Sequence, residues 1–153
     1  MPVESEPVGL VVGGRAEVRD DGWGPERAVI RLDASRFGPE ALYGLEDFSH
    51  LEVVFHFDRV PAEKAETGAR RPRGNPEWPL VGIFAQRGKN RPNRLGVSRC
   101  RLLEVDGLDV HVEGLDAVDG TPVLDLKPYM AEFGPLGPVR QPEWATVLMR
   151  EYY

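Results

Sequence analysis

Apolar and polar residues alternate with a period of two in several short stretches of the chain. The clearest is His50–Phe57. Leu51, Val53, Phe55 and Phe57 fall on one face, with His50, Glu52, Val54 and His56 on the other, as in a strand with one buried side. Arg27–Asp33 alternates in the same way, setting Ala28, Ile30 and Leu32 against Arg27, Val29 and Arg31. Pro7–Val12 is a short apolar run stopped by Gly13-Gly14, and Val81–Ala85 predicts another short strand. Leu95–Val105 and Leu108–Glu113 flank Asp106-Gly107, a strong hairpin signal. Asp119-Gly120-Thr121-Pro122 predicts a second turn, leading into a strand over Val123–Leu126.

Helical patterning is sparse. Pro39–Leu45 predicts one or two turns, with Pro39 near the start and Gly44 near the end. Pro142–Tyr152 predicts a C-terminal helix, because Trp144, Val147, Leu148 and Met149 cluster at helical spacing. Arg19–Pro25 reads as a polar, glycine-containing loop. Arg59–Pro79 holds four prolines, Gly68, Gly74 and the basic cluster Arg70, Arg71 and Arg73. It reads as a long surface loop, and such loops in small domains are usually functional or mobile. Gln86–Asn93 predicts a basic loop and Gly134–Pro138 another.

The pattern amounts to six to eight short strands, one or two short helices and no internal repeat. Strands and helices do not alternate, so a parallel Rossmann sheet is not expected. The expected fold is mainly all-β: a small, single-sheet β-barrel, closed or partly open, with short peripheral helices. One domain over residues 1–153 is expected, with residues 139–153 as a short C-terminal helical tail.

Composition narrows the function classes. Seventeen glycines and fourteen prolines in 153 residues favour many turns over a helical bundle. No apolar run approaches the ~20 residues of a membrane span. The N-terminus, MPVESEPVGL, lacks a charged-then-apolar leader pattern. The single cysteine, Cys100, excludes an intrachain disulfide framework and a cysteine-based zinc site. A cytoplasmic location is the expectation.

The net charge is −6, which argues against a general nucleic-acid binder and against DNA as a partner. The distribution says more. Trp78–Leu103 contains no acidic residue and six basic ones: Arg87, Lys89, Arg91, Arg94, Arg99 and Arg101. Either this is a solvated face balanced by nearby carboxylates, or it is an anion site for phosphate or carboxylate.

Common catalytic signatures are absent: no GxGxxG opening a helix, no phosphate-binding loop, no GxSxG and no HExxH. His50 and His56 would lie about 20 Å apart along one strand and cannot share a metal ion, so no metal site is expected. Cys100 falls inside a strand, where a small buried side chain is the better reading than a nucleophile.

Two segments are richer in polar chemistry than packing needs. In Gly82–Gly96, Arg87 and Arg91 could make forked contacts to carboxylate or phosphate. In Asp119–Tyr129, Asp125 and Lys127 lie two apart on a strand and so point the same way. They could pair with each other or address the two charges of a zwitterion.

These segments resemble the TrmO/YaeB-like (TsaA-like) family. The hallmark FATRSxxRPNPIG resembles Phe84–Gly96, and DGTPVxDIKPY resembles Asp119–Tyr129. A third block, GLxxFSHxxVxFxF, resembles Gly44–Phe57, and the opening IGxV resembles Val8–Val11. The likeness spans roughly residues 7–130. Its best-known members are S-adenosyl-L-methionine-dependent methyltransferases that modify N6-threonylcarbamoyladenosine at tRNA position 37.

The resemblance implies a non-Rossmann barrel that binds the methyl donor, a homodimer, and the tRNA anticodon loop as partner. Carried over by motif, the cofactor contacts are Arg87, Val97, Asp125-Leu126-Lys127-Pro128, and Asp58-Arg59. The family's N-terminal P-R-Q motif is missing. Asp21 and Trp23, in Arg19–Gly24, are the candidates to replace that contact. Lys127 and Asp125 are the candidate catalytic pair, with Lys127 giving electrostatic help. Trp23, Trp78 or Tyr129 could stack on an adenine. The family's T-R-S becomes Gln86-Arg87-Gly88, its P-I-G becomes Arg94-Leu95-Gly96, and Asp58 replaces a histidine. These departures leave open a different acceptor, either another RNA or a small molecule, and a non-catalytic donor-binding module.

Overall fold

Half-buried strands must pair until every inner face is covered and no edge is left exposed. Here six strands do so by closing on themselves. The computed structural model describes residues 1–153. Its strands are β1 (Gly9–Val12), β2 (Arg27–Leu32), β3 (His50–His56), β4 (Ala69–Arg70), β5 (Val81–Gly82), β6 (Leu95–Asp106), β7 (Asp109–Glu113) and β8 (Pro122–Pro128). The barrel order is β1-β2-β7-β6-β3-β8, with β8 returning to β1, and every pairing is antiparallel. β4 and β5 form a separate two-stranded ribbon.

The alternation seen in the sequence sets the core. Leu51, Val53 and Phe55 point inward from β3 and meet Ile30, Val110, Val112, Val11 and Val123, all at most 1% exposed. At Gly96 of β6 the barrel has no room for a side chain. A Cβ there would stand 2.5 Å from two Phe55 ring carbons.

Two bulges break the two-residue period. Val54 faces Asp125 while Phe55 faces Val123, so Leu124 is an extra residue in β8. An extra residue reverses the facing of the strand beyond it. Val123 is inside, Leu126 packs on the core, and Asp125 and Lys127 turn outward. A matching irregularity places Leu103 as the extra residue of β6.

Three local differences from the expected elements have clear causes. β5 stops at Gly82, and Ile83–Ala85 is a tight 3-10 turn rather than strand, because Ile83 plugs inward at 2% exposure. The long segment 59–79 is not structureless. It contains 3-10 turns at Ala62–Lys64 and Pro72–Gly74 and the strand β4. The C-terminal helix α1 covers only Glu143–Leu148. Beyond it the chain turns to dock on the loop before β2. There the Gly22 N–H donates to the Glu151 carbonyl at 2.9 Å and the Trp23 N–H to the Tyr152 carbonyl at 2.8 Å. Gly24 makes this docking possible, since a Cβ there would lie 2.8 Å from the Tyr153 carbonyl carbon. No helix is long and apolar enough to cross a membrane.

Candidate functional site

The outer wall formed by β8, β3 and β6 carries the first group of candidate residues. Asp125 and Val97 lie opposite Val54 on its two sides, so they stand about 10 Å apart, two strand spacings. One step along, Lys127 and Arg99 flank Glu52. Lys127 Nζ lies 3.4 Å from Asp125 Oδ2, and both side chains are more than half exposed. Asp125 Oδ1 accepts the Leu126 N–H at 2.9 Å. The Leu126 side chain packs on the core, so only its backbone faces this wall. Pro128 is half-buried opposite Leu51.

The second group gathers where the first half of β6, paired with β3 on one side, lacks a neighbour on the other. β7 joins β6 only from Arg101 onward. Arg87 fills part of that unpaired edge, donating from Nη2 to the Val97 carbonyl at 2.7 Å. At the same end of the barrel, Asp58 and Arg59 form the turn that leaves β3, with Asp58 exposed. Arg59 reaches across the barrel mouth, donating to the Ala16 carbonyl at 2.7 Å and the Asp119 carbonyl at 3.1 Å.

Asp21 and Trp23 are positioned differently. Arg73 grips the Asp21 carboxylate with two hydrogen bonds, at 2.8 and 3.1 Å, and that contact raises the Arg73 pKa above its ordinary value. Trp23 is buried. Its indole N–H donates to the Asp20 carbonyl at 3.0 Å, and the Arg15 guanidinium covers its ring at 4.0 Å from the centroid. Arg15 is itself buried and paired with Glu26 at 3.1 Å. Asp21 thus joins the segment 59–79 to the loop before β2, while Trp23 joins that loop to Arg15 and the C-terminal tail, its ring covered rather than offered to a ligand. Trp78 and Tyr129 are half-buried.

One polar centre was not singled out from the sequence. The Ser98 and Tyr152 hydroxyls both donate to the Asp116 carboxylate. Burial, followed by the Asp116 charge, pushes the Tyr152 phenol well above its ordinary range. The sequence does carry a signal for it: Asp116 is the one charge in Leu115–Val118, whose other residues are buried. Next to it, burial pushes the Cys100 thiol up to about 12. At 2% exposure this side chain is core.

Of the six basic side chains in Trp78–Leu103, only Arg101 has a carboxylate partner, Glu113 at 3.9 Å. Between Trp78 and Arg99, no basic side chain comes within 4.0 Å of a carboxylate. Arg87, Arg91 and Arg94 donate to backbone carbonyls instead. A carbonyl fixes the guanidinium without cancelling its charge, so these arginines keep an attraction for anions.

The family model for the tRNA-methyltransferase O N-terminal domain matches residues 20–134. A tRNA (adenine(37)-N6)-methyltransferase of Mus musculus is 38% identical over 109 residues, covering 70% of this chain and 25% of the relative. The Escherichia coli enzyme of the same name is 41% identical over 97 residues, covering 60% of this chain and 40% of the relative. A probable S-adenosyl-L-methionine-binding protein of Pyrococcus abyssi is 39% identical over 94 residues, covering 61% and 48%. A crystal structure of TrmO from Pseudomonas aeruginosa superimposes with a TM-score of 0.72 at 29% identity, covering 92% of this chain and 62% of that one. The chain therefore spans between a quarter and a half of the length of these curated relatives, and it belongs to the family of the tRNA-methyltransferase O N-terminal domain.

Proposed function

We propose that this protein is an S-adenosyl-L-methionine-dependent methyltransferase that methylates N6 of adenine 37 in tRNA, with threonylcarbamoyladenosine as the modified base. The observation that carries the reading is the convergence of two distant matched segments on one barrel wall. Arg87 sits on the Val97 carbonyl, and Asp125 stands one strand beyond Val54.

The residues suit the donor's chemistry. Its amino-acid end carries a carboxylate and an ammonium, and its adenosine end is flat and partly apolar. Arg87 supplies a cation whose charge is not cancelled, Asp125 a carboxylate, and the Val97 side chain (47% exposed) an apolar surface between them. Asp58 and Arg59 line the barrel mouth beside this wall, and the Leu126 and Pro128 backbone continues it along β8. Asp21 and Trp23 support the site through Arg73 and Arg15 rather than by touching the donor. The chemistry the donor supplies when bound is an electrophilic methyl group on a sulfonium.

The protein's own contribution is mostly orientation of the two reactants, which accounts for much of the acceleration in such transfers. The acceptor nitrogen lies in a carbamoylated adenine and gains reactivity as it loses its proton. Lys127, oriented by Asp125, stabilises the negative charge that develops there. The other unbalanced arginines of the segment 78–99, Arg91, Arg94 and Arg99, meet phosphates of the anticodon loop. A homodimer in the cytoplasm completes the proposal, by analogy with the family.

The test is incubation of the purified protein with methyl-labelled donor and bulk tRNA, followed by nucleoside analysis. Label in N6-methylated threonylcarbamoyladenosine supports the assignment. Donor binding without label in any tRNA nucleoside rejects the acceptor and keeps the donor site.

A further inference from the structure

We propose that Phe84 is a stacking platform for an unpaired nucleobase of the RNA substrate, flanked by arginines that hold the adjoining phosphates. The proposal rests on the tRNA reading above and names a contact within it.

Ile83–Ala85 is a single 3-10 turn with opposed neighbours: Ile83 is 2% exposed and Phe84 is 80% exposed. The turn is fixed from both sides. The Gln86 side-chain amide donates to the Arg70 carbonyl at 2.8 Å and the Val81 carbonyl at 3.0 Å. The Ile83 N–H donates to the Gly68 carbonyl at 2.9 Å. A large aromatic ring is thus held outward on a rigid support, with the β4–β5 ribbon behind it. Aromatics are normally buried when the fold allows it, and here the fold is built to exclude this one from the core.

Charge identifies the partner. The amide that fixes the turn is followed directly by Arg87, and the Gln86 carbonyl accepts a hydrogen bond from Arg91 at 2.7 Å. Arg70 ends the ribbon strand β4 and Arg71 follows it directly, donating to the Trp78 carbonyl at 2.6 Å. None of these four arginines has a carboxylate within 4.0 Å. A two-fold contact between copies through this face would set like charges against each other. An exposed ring among uncompensated arginines instead matches a single-stranded nucleic acid, which offers a π-face and phosphates together. Of the aromatics expected to stack, Trp23 is buried under Arg15 and Trp78 and Tyr129 are half-buried, so Phe84 offers the more open ring.

The experiment uses the full chain and a fluorescein-labelled anticodon stem-loop RNA, read by anisotropy, with 2-aminopurine in the loop as a stacking probe. Phe84→Ala should weaken binding on the order of ten-fold and relieve quenching of 2-aminopurine. Phe84→Trp should restore both, and the salt dependence should be unchanged, because stacking releases no counterions. Arg70→Ala and Arg71→Ala should each weaken binding and flatten the salt slope. Equal affinity of wild type and Phe84→Ala overturns this proposal and leaves the tRNA reading intact. Loss of a dimer on Phe84→Ala in sedimentation, with RNA affinity unchanged, overturns it in favour of a contact between copies. No RNA binding by the wild type overturns both.

Discussion

The Arg87 guanidinium donates to the Val97 carbonyl at 2.7 Å, tying a loop to the unpaired edge of β6. The bond explains how an arginine in an exposed loop becomes a fixed cation. A neutral carbonyl orients it and leaves the charge to act on a ligand.

On the proposed assignment, Arg87→Ala removes a charge-assisted contact to the donor. Such contacts are worth about 1.5–3 kcal/mol, so donor affinity should fall by about ten- to a hundred-fold in calorimetric titration. Arg87→Lys should recover only part of the loss, since one ammonium cannot hold both the Val97 carbonyl and a forked anion.

Asp125 and Lys127 form an exposed pair, and such pairs contribute little to folding. Asp125→Asn and Lys127→Ala should each change unfolding free energy by less than about 0.5 kcal/mol. Asp125→Asn should weaken donor binding. Lys127→Ala should lower kcat with donor affinity nearly unchanged. Thermal denaturation beside steady-state kinetics separates these effects. A large loss of stability in either variant would make the pair structural.

Gly96→Ala tests the barrel interior. The added Cβ would meet the Phe55 ring at 2.5 Å, and both residues are fixed by β3–β6 pairing. Overpacking of this kind costs about 1–3 kcal/mol. Chemical denaturation should show a lower midpoint, and donor affinity should drop as well, because Val97 adjoins the strained position.

Stability should fall on the alkaline side. In the unfolded chain the Cys100 thiol ionises near its ordinary value of about 8.5, while in the fold it keeps its proton up to about 12. The native state then binds more protons than the unfolded state across this window, so unfolding free energy decreases as pH rises from about 8.5. Tyr152, also raised by burial and by Asp116, adds to the decrease above about pH 10. Urea titrations at stepped pH measure the slope, which should be shallower in Cys100→Ala. A flat profile to about pH 11 would contradict the burial of both groups.

Most of the barrel was legible in the sequence because its strands alternate cleanly. β3 and β2 fall within a residue of their expected ends, and their inward faces are those expected. The facing of Asp125 and Lys127 relative to each other was also legible, since two residues on one strand share a face. Alternation could not reveal the bulge at Leu124, which decides that this face is the outer one. The role of Trp23 was illegible for a different reason. Its burial depends on Arg15 and on a tail docked from the far end of the chain, and no local pattern encodes either contact. The Asp116 centre depends in the same way on Ser98 and Tyr152 meeting across the fold. The donor itself was suggested by motif resemblance alone, since spacing offered only a cation and a carboxylate.

The measurement that bears most directly on the donor site is calorimetric titration of wild type and Arg87→Ala with S-adenosyl-L-methionine and S-adenosylhomocysteine. The account predicts micromolar binding of at least one ligand by the wild type, weakened at least ten-fold by the substitution. No binding of either ligand to the folded protein, or equal binding by the two proteins, would contradict it.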